Sequence, residues 1–172
     1  MPDGTTEVTQ VRELLAGVQL AGSIVTVDAV HACTATAEYI AGPAAVGGRD
    51  ADCLLAVKGN QAALQRVVFD AIQASGPRQP DHQELDDSHG RIMRRSTWVT
   101  SAPASLGFPH AAQVARIRRD RLDRDGQLLR QGSRPRDHQP RRHRGHPAQL
   151  AALARRHWHI ESCHWLRSLG VA

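Results

Sequence analysis

Apolar residues change period twice in the first 75 positions. Residues 9–18 place Val11, Leu14, Leu15 and Val18 at helical spacing. After Gly22, residues 24–30 run apolar and β-branched, the pattern of a parallel strand buried on both faces. Residues 34–41 predict a helix that Gly42-Pro43 ends. Beyond the Gly47-Gly48 loop, residues 52–57 give a second strand. Residues 61–74 give a helix with Leu64, Val67, Val68 and Ile72 in one stripe, and Asn60 is placed to cap it. The order β-α-β-α predicts an α/β fold, with parallel strands joined by right-handed crossover helices.

The pattern weakens downstream. Residues 75–88 are polar and rich in turn formers, while residues 91–100 and 111–118 alternate like exposed or edge strands. Residues 131–146 contain no Val, Ile, Leu, Met or aromatic residue, which predicts loop or disorder. Pro147 suits the first turn of a final helix, residues 148–169. Three segments follow: a core over 1–130, a basic irregular stretch over 131–147 and a C-terminal helix over 148–172.

Composition narrows the class. A chain of 172 residues fits one domain. No apolar run reaches the roughly 20 residues that span a bilayer, and the N-terminus has no signal-peptide core, so a cytoplasmic, non-membrane protein is expected. Cys33, Cys53 and Cys163 are odd in number and form no C-x-x-C pair, which reads as reduced thiols without a zinc framework. The net charge is +5, but residues 131–147 supply +4 of it through Arg134, Arg136, Arg141, Arg142 and Arg144 against Asp137. Charge is therefore weak support for nucleic-acid binding by the folded part. The basic stretch itself has three readings: a solvated loop, a DNA-binding arm acting by counterion release, or translation of GC-rich DNA in a shifted frame.

The candidate chemistry sits at the ends of the apolar runs. Asp28 closes the first, Lys58-Gly59-Asn60-Gln61 follows the second, and Glu161 lies on the final helix. Two separated carboxylates aimed at one place suggest a metal-dependent site. Each has a plainer reading, Asp28 as a helix cap and Glu161 as a partner of Arg155 or Arg156. Lys58, Asn60 and Gln61 suit either a DNA backbone or a capping turn. His89, Arg91 and Arg95 suit either phosphates or a turn before a solvated strand. Trp158 and Trp165 share a helix face with Glu161, more as core packing than as base-stacking groups. His157, Glu161 and His164 also share a face, but without an H-E-x-x-H motif they make a weak iron or zinc set.

Several segments together resemble a DDE-type, RNase H-like insertion-sequence transposase of the H-repeat-associated kind. They are Thr5-Thr6-Glu7-Val8-Thr9, Val25-Thr26-Val27-Asp28-Ala29-Val30-His31, Val57-Lys58-Gly59-Asn60-Gln61, His89-Gly90-Arg91 with Arg94 or Arg95, residues 107–116 (G-F-P-H-A-A-Q-V-A-R), and His157-Trp158 through Arg167. They occur in the family's order across most of the chain. V-K-G-N-Q combined with H-W-x-I-E-S-x-H-W-L-R is the specific part.

The resemblance implies a partial RNase H-like fold with an edge-strand insertion and a C-terminal helix. It also implies metal-dependent DNA strand cleavage and transfer, with Asp28 and Glu161 as the second and third acids of a triad. The cofactor would be Mg²⁺, as two ions roughly 4 Å apart. DNA at the element ends would be the partner, with a homodimer or an intact transposase as a further one. The family's first Asp lies in a D-G-K-type strand upstream of the matched region, and Asp3-Gly4 imitates it only superficially. Met93 stands where the family has Glu, His159 replaces a small residue, and the arginine-rich stretch stands where the family has an apolar strand. A truncated, frame-disturbed and inactive chain is the expectation, with an exposed sheet edge favouring poor solubility or dimerisation. The alternative is a noncatalytic DNA-binding remnant that interferes with an intact transposase.

Overall fold

The computed structural model describes residues 7–76, 79–88, 91–131, 136–139 and 145–168, with only the backbone described for 7–9, 88, 91, 130–131, 136–139 and 158–168. Four helices are present among them, α1 (Glu7–Ala16), α2 (Thr34–Ala41), α3 (Ala62–Ala74) and α4 (Pro147–Ser168). The strands are β1 (Ile24–Val27), β2 (Asp52–Val57), β3 (His82–Ser88), β4 (Arg91–Ser101), β5 (Gln113–Leu122), β6 (Leu128–Gln131) and β7 (Arg136–Gln139).

All seven strands join one mixed sheet in the order β1-β2-β7-β5-β4-β3, with β6 also on β5. β1 and β2 are parallel with α2 between them in the chain, and every other pairing is antiparallel. The α/β expectation therefore holds for the first half of the chain, while an antiparallel meander makes up the second.

Strand alternation assigns the two faces. Cys53 and Leu55 pack with Ile40, Ala37 and Ala41 of α2. Val114 packs with Val68 and Ile72 of α3 and with Leu106 from the loop between β4 and β5. On the opposite face Leu54, Ala115 and Ile117 pack with Leu150 and Ala154 of α4. The register ties these together: Ala56 and Ala115 both pair with His138 of β7, so the rows on either side of β7 share a face. α2 and α3 thus cover one face and α4 the other. β2, sandwiched between them, is buried from Cys53 to Val57, which is why it reads as an unbroken apolar run. α4 contacts both terminal strands, β1 and β3, so the sheet curls around it.

Several sequence expectations change. β3 lies inside the stretch expected to be turns: its Glu84 and Asp86 pair with Arg95 on β4, and such cross-strand charge pairs make a strand without an apolar pattern. β4 and β5 are interior strands, because β3 covers one side of β4 and β7 and β6 cover the far side of β5. Within the stretch expected to be irregular, Arg136–Gln139 pairs with β2 and β5 through backbone groups, which need no apolar side chains. Asp28 lies just past β1 at the N-cap position of a single 3-10 turn, Ala29–His31, with no side-chain capping bond. Asn60 does not cap α3; Gln61 holds the N-cap position, also without a capping bond. Thr5, Thr6, His89 and Gly90 lie outside the described residues, as does the side chain of Arg91. Among the described residues no helix is long and apolar enough to cross a membrane.

Candidate functional site at the carboxyl ends of β1 and β2

Parallel neighbours deliver their C-terminal ends to the same rim of the sheet. β1 pairs with β2 so that Val27 faces Leu55. Asp28 then leaves the end of β1, and Lys58 leaves the end of β2. The Lys58 Nζ donates to Asp28 Oδ1 at 2.6 Å, with the lysine side chain 35% and the aspartate side chain 40% exposed. Half-exposed ion pairs of this kind contribute about 0.5–1 kcal/mol at most.

The residues after Lys58 fasten the turn that follows Asp28. Asn60 Nδ2 donates to the Ala29 carbonyl at 3.4 Å, and Gln61 Nε2 donates to the Ala32 carbonyl. V-K-G-N-Q thus acts here as a clamp: one charge on Asp28 and two amides on the loop leading to α2.

α4 closes the site from the other side. His157 Nδ1 lies 3.2 Å from Thr26 Oγ1, a contact that spans 131 positions of sequence. Glu161 follows four residues later on the same helix, roughly one turn on, and its side chain lies outside the described residues. His157 Nε2 and His31 Nδ1 are buried without a hydrogen-bond partner among the described atoms.

The electrostatics follow from this arrangement. Burial alone pushes the Asp28 carboxyl upward. The Lys58 hydrogen bond, the Ala29 amide and the charges of Lys58 and His157 outweigh that effect and hold it below its ordinary 3.8. Asp28 is therefore a carboxylate at neutral pH.

Of the other expected phosphate contacts, Arg95 is drawn into the fold, while His89 and the Arg91 side chain lie outside the described residues. Arg95 sits at 2.9 Å from Asp86 and 3.6 Å from Glu84, and Arg155 of α4 approaches the same Glu84 at 3.7 Å. This cluster belongs to the β3–β4 pair and not to the rim carrying Asp28. On the other face Asp120, 1% exposed, lies between Arg94 at 3.3 Å and Arg118 at 3.1 Å. Arg116 and Arg118 also stack on Trp98, within 5.9 and 5.3 Å of its ring centroid.

The described residues do not fit a two-metal site held by carboxylates. Among them no three His, Cys, Asp or Glu side chains come together. Asp28 offers a single carboxylate, and an ammonium already sits on it.

Sequence reasoning did not single out His157 or Thr26 as neighbours. One signal was present: Thr26 is the lone hydroxyl in the run Ile24-Val25-Thr26-Val27, where an apolar helix face would have left it unsatisfied.

No family model matches this chain, and no solved structure matches it. A protein of Xanthobacter autotrophicus described as an uncharacterized protein in the dhlA 3' region is 34% identical over 95 residues. The match covers 54% of this chain and 30% of that protein, so the chain accounts for less than a third of its relative's length.

Proposed function

We propose that this chain is a DNA-binding domain of the DDE transposase type, RNase H-like in fold, and that its 172 residues bind DNA without cutting it. The observation that carries this reading is the contact between His157 and Thr26. It joins the H-W-x-I-E segment to the strand that ends in Asp28, two segments the resemblance pairs and the chain separates by 131 positions. The strand at Arg136–Gln139 supports the same reading. It lies between β2 and β5, in a stretch where the family has a strand, although its residues are polar.

The absence of cutting is argued from the site's chemistry. Strand cleavage in this class needs several carboxylates around phosphate and metal. The described rim supplies Asp28 alone, neutralised by Lys58. Binding is assigned instead to the basic stretch 131–147, which carries +4 of the chain's net +5, and it acts on the phosphate backbone by counterion release without base readout.

Two assays on the whole chain test the proposal. Fluorescence anisotropy with a short duplex should show binding that weakens steeply between about 50 and 200 mM salt. Supercoiled plasmid with Mg²⁺ or Mn²⁺ should remain un-nicked. Nicking that vanishes in Asp28→Asn would overturn the noncutting half. Absence of salt-sensitive binding would overturn the DNA-binding half.

A further inference from the structure

We propose that the groove between α2 and the loop joining β4 to β5 is a binding site for a small organic amine, an ammonium on a compact apolar body. It uses neither Asp28 nor Lys58, and it stands whether or not the chain binds DNA.

The groove is built from a loop whose shape is fixed at several points. The Ala102 amide donates to the Ala112 carbonyl at 3.0 Å and closes the loop's neck, the geometry of an Ω-loop. Phe108 packs against both the Ile40 and the Val68 clusters, which fastens the middle of the loop to the core. Gly107 at φ 61° and His110 at φ 59° take the left-handed conformation, which a non-glycine residue keeps only where its surroundings hold it. For His110 the holding contact is plain: its Nε2 lies 2.8 Å from Glu38 Oε2 on α2. Loop and helix thus face each other across a cavity of about 530 Å³. Ligand pockets span roughly 300–1,000 Å³.

The lining selects the ligand's chemistry. Pro103, Leu106, Phe108 and Pro109 make the loop wall apolar, and neither proline has an N–H to offer an anion. Across from them Thr34 and Glu38 stand one turn apart on α2. Among the described residues Glu38 is the sole charged group in the lining, with no lysine or arginine beside it. Its side chain is 57% exposed and has a second oxygen beyond the one facing His110, so a cation can reach it. One carboxylate between apolar walls supplies too few oxygens for a metal ion. An ammonium on an apolar body matches both halves, its charge at Glu38 and its body against Leu106 and Phe108.

The test is a titration of the ¹⁵N-labelled full chain with phenethylamine and with 3-phenylpropionate, which share a phenylethyl body and carry opposite charges. Phenethylamine should shift the amides of residues 34–38 and of the loop within 102–111, saturating on the order of 1 mM for so small a probe. The acid should bind several-fold more weakly. Glu38→Gln should weaken the amine about two- to fivefold, the worth of one half-exposed charge pair, and leave the acid no weaker. Ala104 is an exposed residue of the lining, so Ala104→Trp should fill the groove and abolish the shifts while the chain still melts as a folded protein. If Glu38→Gln fails to fold, Ala104→Trp decides. Equal affinity for amine and acid in wild type overturns the proposal, as do amine-induced shifts that survive Ala104→Trp or that never reach the loop. The readout needs no DNA, so it succeeds or fails independently of the DNA-binding reading.

Discussion

At the residue scale, two titratable groups carry predictions. The folded Asp28 carboxyl titrates below its ordinary value, so the unfolded chain binds more protons around pH 3–4. The pair's stabilisation is present in full above the ordinary value of 3.8 and is lost as pH falls through the folded one. Urea midpoints of wild type and Asp28→Asn should therefore differ at pH 6, with wild type the more stable by the equivalent of about 0.5 kcal/mol for this half-exposed pair, and converge once pH has fallen below the folded value. A gap that persists in acid would assign the effect to something other than the ion pair. Cys53 behaves oppositely to a reactive thiol. Burial, helped by the neighbouring Asp52, pushes it up to about 12. A thiol-specific reagent at pH 8 should label Cys53 only on unfolding, whereas the part-exposed Cys33 reacts in the native protein.

At the scale of elements, α4 is the piece that assembles the site, and its seat is small. Ala154 is fully buried against the row formed by Leu54, Ala115 and Ile117. Ala154→Leu should overpack that seat and cost about 1–3 kcal/mol. Leu150→Ala should leave a cavity and cost about 2–5 kcal/mol. Thermal melts check both, and neutral outcomes would show that α4 is not docked on the sheet. The elements also show what a single sequence reveals. α2 and β2 were legible to the residue, because Gly42-Pro43 ends one and the unbroken run Cys53-Leu54-Leu55-Ala56-Val57 requires burial on both faces. β3 was not legible, since its order comes from Glu84 and Asp86 meeting Arg95, a cross-strand relation invisible to local periodicity. β7 was hidden for a related reason: its place is fixed by the backbone edges of β2 and β5 rather than by its own composition. At the site, Asp28 and Lys58 were visible as chain-end polar residues, while the Thr26–His157 contact depends on tertiary packing.

At the scale of the whole molecule, a polar strand occupies the middle of the sheet. β7 has the sequence Arg-Asp-His-Gln, and its His138 stands in register with Ala56 and Ala115, both buried. The same architecture explains why distant segments converge. Parallel β1 and β2 bring Asp28 and Lys58 to one rim, and the curled sheet wraps α4 so that His157 reaches the first strand.

The most direct check is proximity of those two segments in solution. In a chain with its native cysteines replaced, Thr26→Cys and His157→Cys should be bridged within one molecule by dibromobimane, which links thiols a few ångström apart, giving the fluorescent product at protein concentrations too low for association. Absence of the intramolecular product from a folded double variant, or its formation only between chains, would contradict the assembly of H-W-x-I-E beside Asp28.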